Sequence, residues 1–348
     1  MLSEFNFNSF IKMIYALCVG LIGSLIFIYF HLPLPWLLGS ILATSLAVRF
    51  EKLPIQNPKL FASPARIVIG LTIGSSFTPQ VLEYIGSYFF SLLFIIPFSA
   101  ITIIAGLIYY EKFLGFDKKT AYLSAMPGGL IEMIIIAEEI KANIAKITLV
   151  QSSRLFFIVV SLPFIIQYIL GIDIRGNQTI TTSVVNVDLL ELIFLFVVGI
   201  FAAVFAKKIK LSAAFLIGPM IISIILHLTA VVTTPMPDEL LKFVQVVFGT
   251  LIGFTFKGIK LSEVMKTLLG TFGHFLILIF ISFIFIVIVS SLFDFDLLSI
   301  LLAFSPGGQA DINLIAILVG ATVPYITLHH IVRLFIVVNI AYFFAKKI

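Results

Sequence analysis

Charge is scarce in this sequence: Asp, Glu, Lys and Arg together make up 11% of 348 residues. A soluble domain carries about 25%. A cytosolic enzyme, a nucleic-acid-binding domain and a disordered chain are therefore excluded. Cysteine is nearly absent. The single Cys18 lies in the first apolar run, so neither an intramolecular disulfide nor a cysteine metal cluster can form. His31, His227 and His274 are scattered near segment ends or alone in apolar runs, where packing is their default role. His329-His330 cannot put both rings on one helical face. There is no metal-ligand cluster, no phosphate-binding glycine loop and no nucleophile–base pair at recognisable spacing. Catalytic residues, metals and cofactors are expected to be none, and the chain is not expected to be an enzyme. A basic leader segment is also missing from Met1-Leu2-Ser3-Glu4-Phe5-Asn6, so the apolar run 10–30 reads as a retained span.

What is abundant is apolar side chain. Hydrophobic types reach 61%, about 212 residues, with a mean hydropathy of +1.20. At ~20 residues per spanning helix this supplies roughly ten spans. The net charge of +5 does not point to nucleic acid, because the cations sit in short loops between spans. It reads as the positive-inside bias.

The chain repeats itself at a constant offset, the one that carries Pro127-Gly128-Gly129 onto Pro306-Gly307-Gly308. At that offset Gly20 falls on Gly199, Gly39 on Gly218, and Gly70 and Gly74 on Gly249 and Gly253. Arg154-Leu155-Phe156 falls on Arg333-Leu334-Phe335, and Glu132 on Asp311. Such agreement in Gly, Pro and Arg points to duplication. The repeats are taken as 1–176 and 177–348. Apolar segments run about 10–30, 35–48, 62–78, 87–110, a broken one at 120–139, and 144–170. Their partners run about 189–206, 214–232, 239–256, 267–292, a broken one at 298–320, and 324–345.

Equivalent loops carry opposite charge balances. Arg49, Lys52 and Lys59 follow the second segment, where Asp238 and Glu239 follow its partner. Lys112, Lys118 and Lys119 follow the fourth, against Asp294 and Asp296. Lys207, Lys208 and Lys210 follow the partner of the first, which is itself followed by an uncharged loop. Equivalent loops are thus expected on opposite sides, as in an inverted-topology repeat. Lysines flank both ends of the first broken segment (Lys118, Lys119, Lys141, Lys146), so it is expected to enter and leave on one side. The expected fold is an all-α integral membrane protein of two inverted five-span repeats, each with a re-entrant broken-helix hairpin. This arrangement leaves only Arg175 and Lys242 outside, and Arg154 and Arg333 within spans, of 22 Lys and Arg. Both termini are expected to be cytoplasmic.

Pro127-Gly128-Gly129 and Pro306-Gly307-Gly308 break helices at mid-membrane depth. Proline removes a donor and paired glycines cannot hold a helix. Pro127 is about 12 Å of helix past Lys119 and Pro306 about 15 Å past Asp296. The two breaks are expected to meet near the midplane, where secondary transporters bind their solutes. Glu132 and Asp311 fall in the first turn after each break. There a carboxylate either complements the helix dipole or binds a proton, a cation or an amine. Arg154 and Arg333 stand inside apolar spans, with Glu132 and Asp311 as candidate partners. They form either a structural ion pair or a guanidinium site for a carboxylate or phosphate. Thr148 and Gln151 precede Arg154, and Thr327 and His330 precede Arg333; all are candidates to line one cavity. For a threonine in such a helix, bonding to its own backbone is the commoner fate. Gly70-x-x-x-Gly74 and Gly249-x-x-x-Gly253 read as close helix contacts.

Two copies of an apolar repeat, each with a P-G-G-x-x-[ED] break, resemble the AbrB family of bacterial membrane proteins. The copies here are Met126–Met133 and Ser305–Ile312, and the resemblance extends over about 10–345. In the second copy Asp replaces Glu and Gln follows the glycines, which unbalances the two sites. The resemblance implies a fold similar to cation/proton antiporters. It also brings two labels, regulator of gene expression and ammonia monooxygenase. The second would need clustered metal ligands, which are missing. The first would need a sensory or DNA-binding domain, or else an indirect route through a transported signal. The expected function is a secondary transporter of a small solute, an anion among the candidates, in the bacterial inner membrane. A membrane regulator acting without flux is the alternative, and a redox enzyme ranks third. Expected partners are the lipid bilayer and a solute coupled to H⁺ or Na⁺, with a second copy of the chain left open and nucleic acid excluded.

Overall fold

Backbone in lipid must bond to itself, so apolar runs of this length fold as helices. The computed structural model contains helices and turns, and no strand, among the residues it describes: 7–32, 34–50, 52–127, 130–172, 183–211, 213–257 and 261–345. The first half holds α1 (Phe7–Tyr29), α2 (Pro35–Ala47), α3 (Lys59–Ser75), α4 (Val81–Leu93), α5 (Ile95–Ile108), α6 (Lys118–Ala125), α7 (Leu130–Ile140) and α8 (Ile144–Phe164). The second half holds α9 (Leu189–Lys208), α10 (Ala214–Leu228), α11 (Asp238–Phe254), α12 (Leu261–Leu292), α13 (Leu297–Ala303), α14 (Gln309–Val319) and α15 (Val323–Ala345).

Six helical stretches among the described residues are long and apolar enough to cross a membrane: Phe7–Tyr29, Gly86–Phe113, Ile144–Ile169, Leu189–Lys208, Leu268–Leu292 and Val323–Ala345. The other four of the ten expected spans are α2, α3, α10 and α11, which are only 13 to 17 residues long. At 1.5 Å per residue such a helix covers about 20–25 Å, short of a ~30 Å hydrocarbon core. The side chains confirm an apolar surround for the long helices. On α1 the buried residues are mostly small (Ala16, Gly20, Gly23, Ser24), while Ile22, Leu25 and Ile26 are exposed. Bulk facing out and small residues facing in is the packing of membrane helices. The chain is a multi-pass α-helical membrane protein.

It divides into two compact units, and each draws on both halves of the sequence. One comprises Met1–Pro79 and Leu162–Lys260. Within it the small-residue motifs of the two halves act reciprocally. A Cβ placed on Gly70 of α3 would run into the Leu216 carbonyl of α10, and one on Gly249 of α11 would lie 2.6 Å from the Leu37 carbonyl of α2. One turn on, Gly74 meets Ser223 in the same way, and Gly253 meets Thr44 at 2.7 Å. Leu37 and Leu216 are themselves equivalent positions, as are Thr44 and Ser223. Each half therefore packs its third segment against the second segment of the other half.

The other unit comprises Gln80–Ser161 and Leu261–Ile348 and holds both broken helices. Each broken helix is a pair of short antiparallel arms tied at its open end. Asp117 caps α6 through the Thr120 amide at 3.0 Å, and the Thr120 hydroxyl accepts from the Asn143 amide at 3.0 Å. In the second half Asp296 caps α13 through the Ser299 amide at 2.9 Å, and the Ser299 hydroxyl accepts from the Thr322 amide at 2.8 Å. The same two bonds recur at the same offset.

Candidate functional site

Breaking a helix strands carbonyls that would have accepted from the next turn. The buried polar residues of α8 and α15 bond to those carbonyls. Gln151 on α8 donates to the Leu123 carbonyl at 2.9 Å, and one turn later Arg154 donates through Nη1 to the Met126 carbonyl at 2.9 Å. On α15 the Nε2 of His330 meets the Leu302 carbonyl at 3.0 Å, and Arg333 donates through Nη1 to the Ser305 carbonyl at 2.5 Å. These are equivalent residues bonded to equivalent carbonyls, and Gln151, Arg154, His330 and Arg333 are all buried.

The second break is tied more tightly. Arg333 also donates through Nη2 to the Gly307 carbonyl at 2.6 Å and to Nδ1 of His330 at 2.9 Å. Accepting at Nδ1 leaves the His330 proton on Nε2, where it reaches Leu302; the ring is a fixed neutral tautomer. Ser282 on α12 donates to the Phe304 carbonyl at 2.9 Å. Arg154, by contrast, keeps a buried Nε with no hydrogen-bond partner among the described residues.

Arg333 bonds to two carbonyls of the break and to an imidazole. Asp311 is half-buried in the first turn of α14, where the helix dipole favours an anion. Its carboxylate folds back toward the break, since a Cβ on Gly308 would lie 2.5 Å from Asp311 Oδ2. Gly307 is confined by Ile312 in the same way, at 2.5 Å. Pro127 and Pro306 are both buried at the breaks. Gly128, Gly129 and the side chain of Glu132 lie outside the described residues. Thr148 is half-buried on α8. Thr327 departs from the usual threonine behaviour, donating to Oδ1 of Asn313 on α14 at 2.6 Å, while Asn313 donates to the Gln309 carbonyl at 2.8 Å. Asn313 escapes a sequence reading because its equivalent in the first half is Ile134.

Two further buried clusters in this unit also escape a sequence reading. Ser91, Tyr325 and His329 form a closed chain: the tyrosine hydroxyl meets Ser91 Oγ at 2.6 Å, Ser91 Oγ meets His329 Nε2 at 2.9 Å, and His329 Nδ1 meets the Tyr325 carbonyl at 2.7 Å. The carbonyl can only accept, so the ring proton is on Nδ1, Ser91 donates to Nε2 and Tyr325 donates to Ser91. The second cluster is Tyr110 and His274, bonded at 2.9 Å through Nδ1.

Outside the spans, Asp117 gives a pH-dependent test of the hairpin cap. Burial pushes its carboxyl up, but the Thr120 hydroxyl and amide, its own amide and Lys146 outweigh this and hold it below the usual range. A depressed carboxylate stabilises above its unfolded pKa, ~3.9, and loses that contribution as pH falls through the folded value. Asp117→Ala is therefore expected to cost about 1 kcal/mol at neutral pH. Thermal unfolding in detergent at neutral pH and at about pH 3 should show the gap to the parent closing in acid.

The class this fold defines is a polytopic helical membrane protein with two broken helices held by buried arginines. The chain belongs to the AbrB family: the family profile, described as "Transition state regulatory protein AbrB", matches residues 36–348. The chain is similar to "Uncharacterized protein YhjN" of Bacillus subtilis (strain 168), with 24% identity over 95% of this chain and 91% of that protein. It is also similar to "Putative regulator AbrB" of Escherichia coli (strain K12), with 30% identity over 47% of this chain and 46% of that protein.

Proposed function

We propose that this chain is a secondary transporter of a small anionic solute, with its site at the two broken helices. The observation that carries the reading is the pair of buried arginines, Arg154 and Arg333. Each is bonded to the backbone of a break in one compact unit. Burying a charge costs several kcal/mol, and two like charges together cost more. An anion bound between them offsets that cost. Glu132 or Asp311, next to the breaks, couples the cycle to H⁺ or Na⁺. Alternating access comes from one set of helices moving against the other.

The membrane topology belongs to the same reading: two inverted repeats, 1–176 and 177–348, five spans and a re-entrant hairpin each, both termini cytoplasmic, in the bacterial inner membrane. Recurrence of the Asp117 and Asp296 caps, and of the bonds closing each hairpin, supports duplication. Opposite charge in equivalent loops supports inversion. The regulatory wording in the family's description is accommodated as an indirect effect of moving a signalling solute. A sensor without flux is the competing account, and the test separates the two. Purified protein in liposomes is offered labelled carboxylates, phosphate, amino acids and ammonium under imposed pH and Na⁺ gradients. Gradient-dependent accumulation of an anion is the expected result. No flux for any solute in the panel overturns the transporter and favours the sensor.

A further inference from the structure

One nitrogen beside the second break has room for a proton or for a guanidinium N–H, and not for both. Nε2 of His330 lies 3.0 Å from the Leu302 carbonyl, which can only accept, so the ring N–H is there. Nδ1 is then the nitrogen that can take a proton, and Arg333 already donates to it through Nη2 at 2.9 Å. The guanidinium is held in that aim. Nη2 spends its other hydrogen on the Gly307 carbonyl, and Nη1 is on the Ser305 carbonyl. The two residues are three apart on α15, so they share a face, and both are buried. A proton on Nδ1 would set donor against donor and put an imidazolium beside a guanidinium, away from water. Like charges so placed disfavour each other, and burial adds to the cost, unless an anion joins them.

Other titratable and charged groups around this pair are few. On α15 itself stand Tyr325 and His329, and His329 has both nitrogens engaged, with Ser91 and the Tyr325 carbonyl. Of the helices packed on α15, α5 and α13 carry no titratable residue. On α14 the carboxylate is that of Asp311, turned back toward Gly308. On α4, Tyr88 meets Tyr325, more than a turn before His330, and Tyr84 and Glu83 lie nearer the start of that helix. On α7, Glu138 and Glu139 follow Ala137, which packs with Val337, Ala341 and Ala345, beyond Arg333. Tyr122 of α6 bonds to the Ile340 carbonyl, farther still along α15.

We propose that Nδ1 of His330 is a proton-binding site of the transport cycle, filled when the anionic group of the solute draws the Arg333 N–H away from it. One proton and one negative charge enter together, so the charge of the site does not change. The inference rests on the transporter reading and makes the movement a symport with H⁺. This proton is additional to the ion carried by Glu132 or Asp311. Linkage is reciprocal: if a bound anion draws in a proton, acid tightens the binding of the anion. The first half has no counterpart of this site. Gln151 stands at the position equivalent to His330 and makes the equivalent bond, to the Leu123 carbonyl at 2.9 Å, but an amide takes up no proton.

The test measures binding separately from flux. His330→Gln removes the proton site and follows the pattern of Gln151. Thermal unfolding of the full chain in detergent is followed in sodium acetate, succinate or phosphate, against sodium chloride at matched ionic strength, from about pH 5 to about pH 8, where an imidazole titrates. At least one of the three anions should bind the parent. Its apparent Kd should fall more steeply with acid in the parent than in His330→Gln, by up to about tenfold per pH unit, the limit for one linked proton. The titration of the anion itself is common to both proteins and cancels. Ring ¹⁵N spectra of the histidine-labelled parent decide the matter even where His330→Gln does not fold. With signals assigned by replacing the other histidines singly, Nδ1 of His330 should be unprotonated at about pH 6 without the anion and move toward the protonated position with it. Equal slopes in the two proteins, an Nδ1 signal that ignores the anion, or no binding by any of the three would overturn the proton site. Linked binding without flux into liposomes would instead overturn transport and leave the site standing. Flux of a neutral or cationic solute without anion binding would do the reverse.

Discussion

Arg333→Met should destabilise the protein by about 3–9 kcal/mol, because three buried acceptors lose their donor at ~1–3 kcal/mol each. Those acceptors are the carbonyls of Ser305 and Gly307 and Nδ1 of His330. Methionine keeps the apolar stem and fills much of the volume, so the loss is electrostatic rather than a cavity. Arg154→Met strips a single acceptor among the described residues, the Met126 carbonyl, and should cost about 1–3 kcal/mol. Both variants relieve the desolvation of one guanidinium, so that gain cancels when they are compared with each other. Detergent-solubilised protein should therefore show a much lower unfolding midpoint for Arg333→Met than for Arg154→Met. The order for transport is not the same: Arg154→Met should lose flux while still folded. Equal destabilisation by the two substitutions would mean that the guanidiniums are held alike, against the asymmetry of the hydrogen bonds.

The second large effect lies in the other compact unit. Gly249→Leu should prevent folding altogether. Even a Cβ at Gly249 would lie 2.6 Å from the Leu37 carbonyl and would collide with Ser40 Oγ. Backbone cannot give way as a flexible side chain can, so α11 would have to lift off α2. Overpacking alone costs ~1–3 kcal/mol, and a clash with backbone belongs in the exceptional range above ~4–5 kcal/mol. Gly70→Leu should behave alike, since Gly70 meets the Leu216 carbonyl of α10. Gly86 provides the control, with nothing within 4 Å of a Cβ placed there. The readout is the yield of monodisperse protein in detergent. Normal yield from Gly249→Leu would show that α2 and α11 do not approach as described.

The glycines also mark how far the sequence could be read. A stripe of small residues in each third segment is visible as spacing, and close approach follows from it. Its partner is not visible, because helical periodicity reports which face is small and says nothing of what covers it. Only the fold shows that Gly70 seeks α10 and Gly249 seeks α2. Helix extents were mostly legible: the run 35–48 is α2 (Pro35–Ala47) and 62–78 overlaps α3 (Lys59–Ser75), but 214–232 is cut short at Leu228 in α10. Hydropathy does not show where packing ends a helix.

At the breaks the legible part was covalent. Pro127 and Pro306 announce interruption because a missing donor and paired glycines end any helix. The carbonyl partners of the arginines were illegible, since orphaned carbonyls carry no letter in the sequence. His274 was passed over as a packed residue because it stands alone in an apolar run. Its hydrogen-bond partner, Tyr110, is distant in sequence. Asn313 and Ser282 went unnoticed for the same reason, being single polar residues whose partners the fold supplies.

The central claim is that the arginine-held breaks form the pathway of a transported anion. Its most direct test is flux of the binding anion into liposomes containing the parent, Arg154→Lys or Asp117→Ala. Asp117 touches the hairpin cap and not the break, so it controls for damage to the fold. The account predicts gradient-driven uptake by the parent and by Asp117→Ala, and a loss of about tenfold or more in Arg154→Lys, where the planar fork is gone. Undiminished uptake by Arg154→Lys, or no uptake by correctly folded parent, would contradict it.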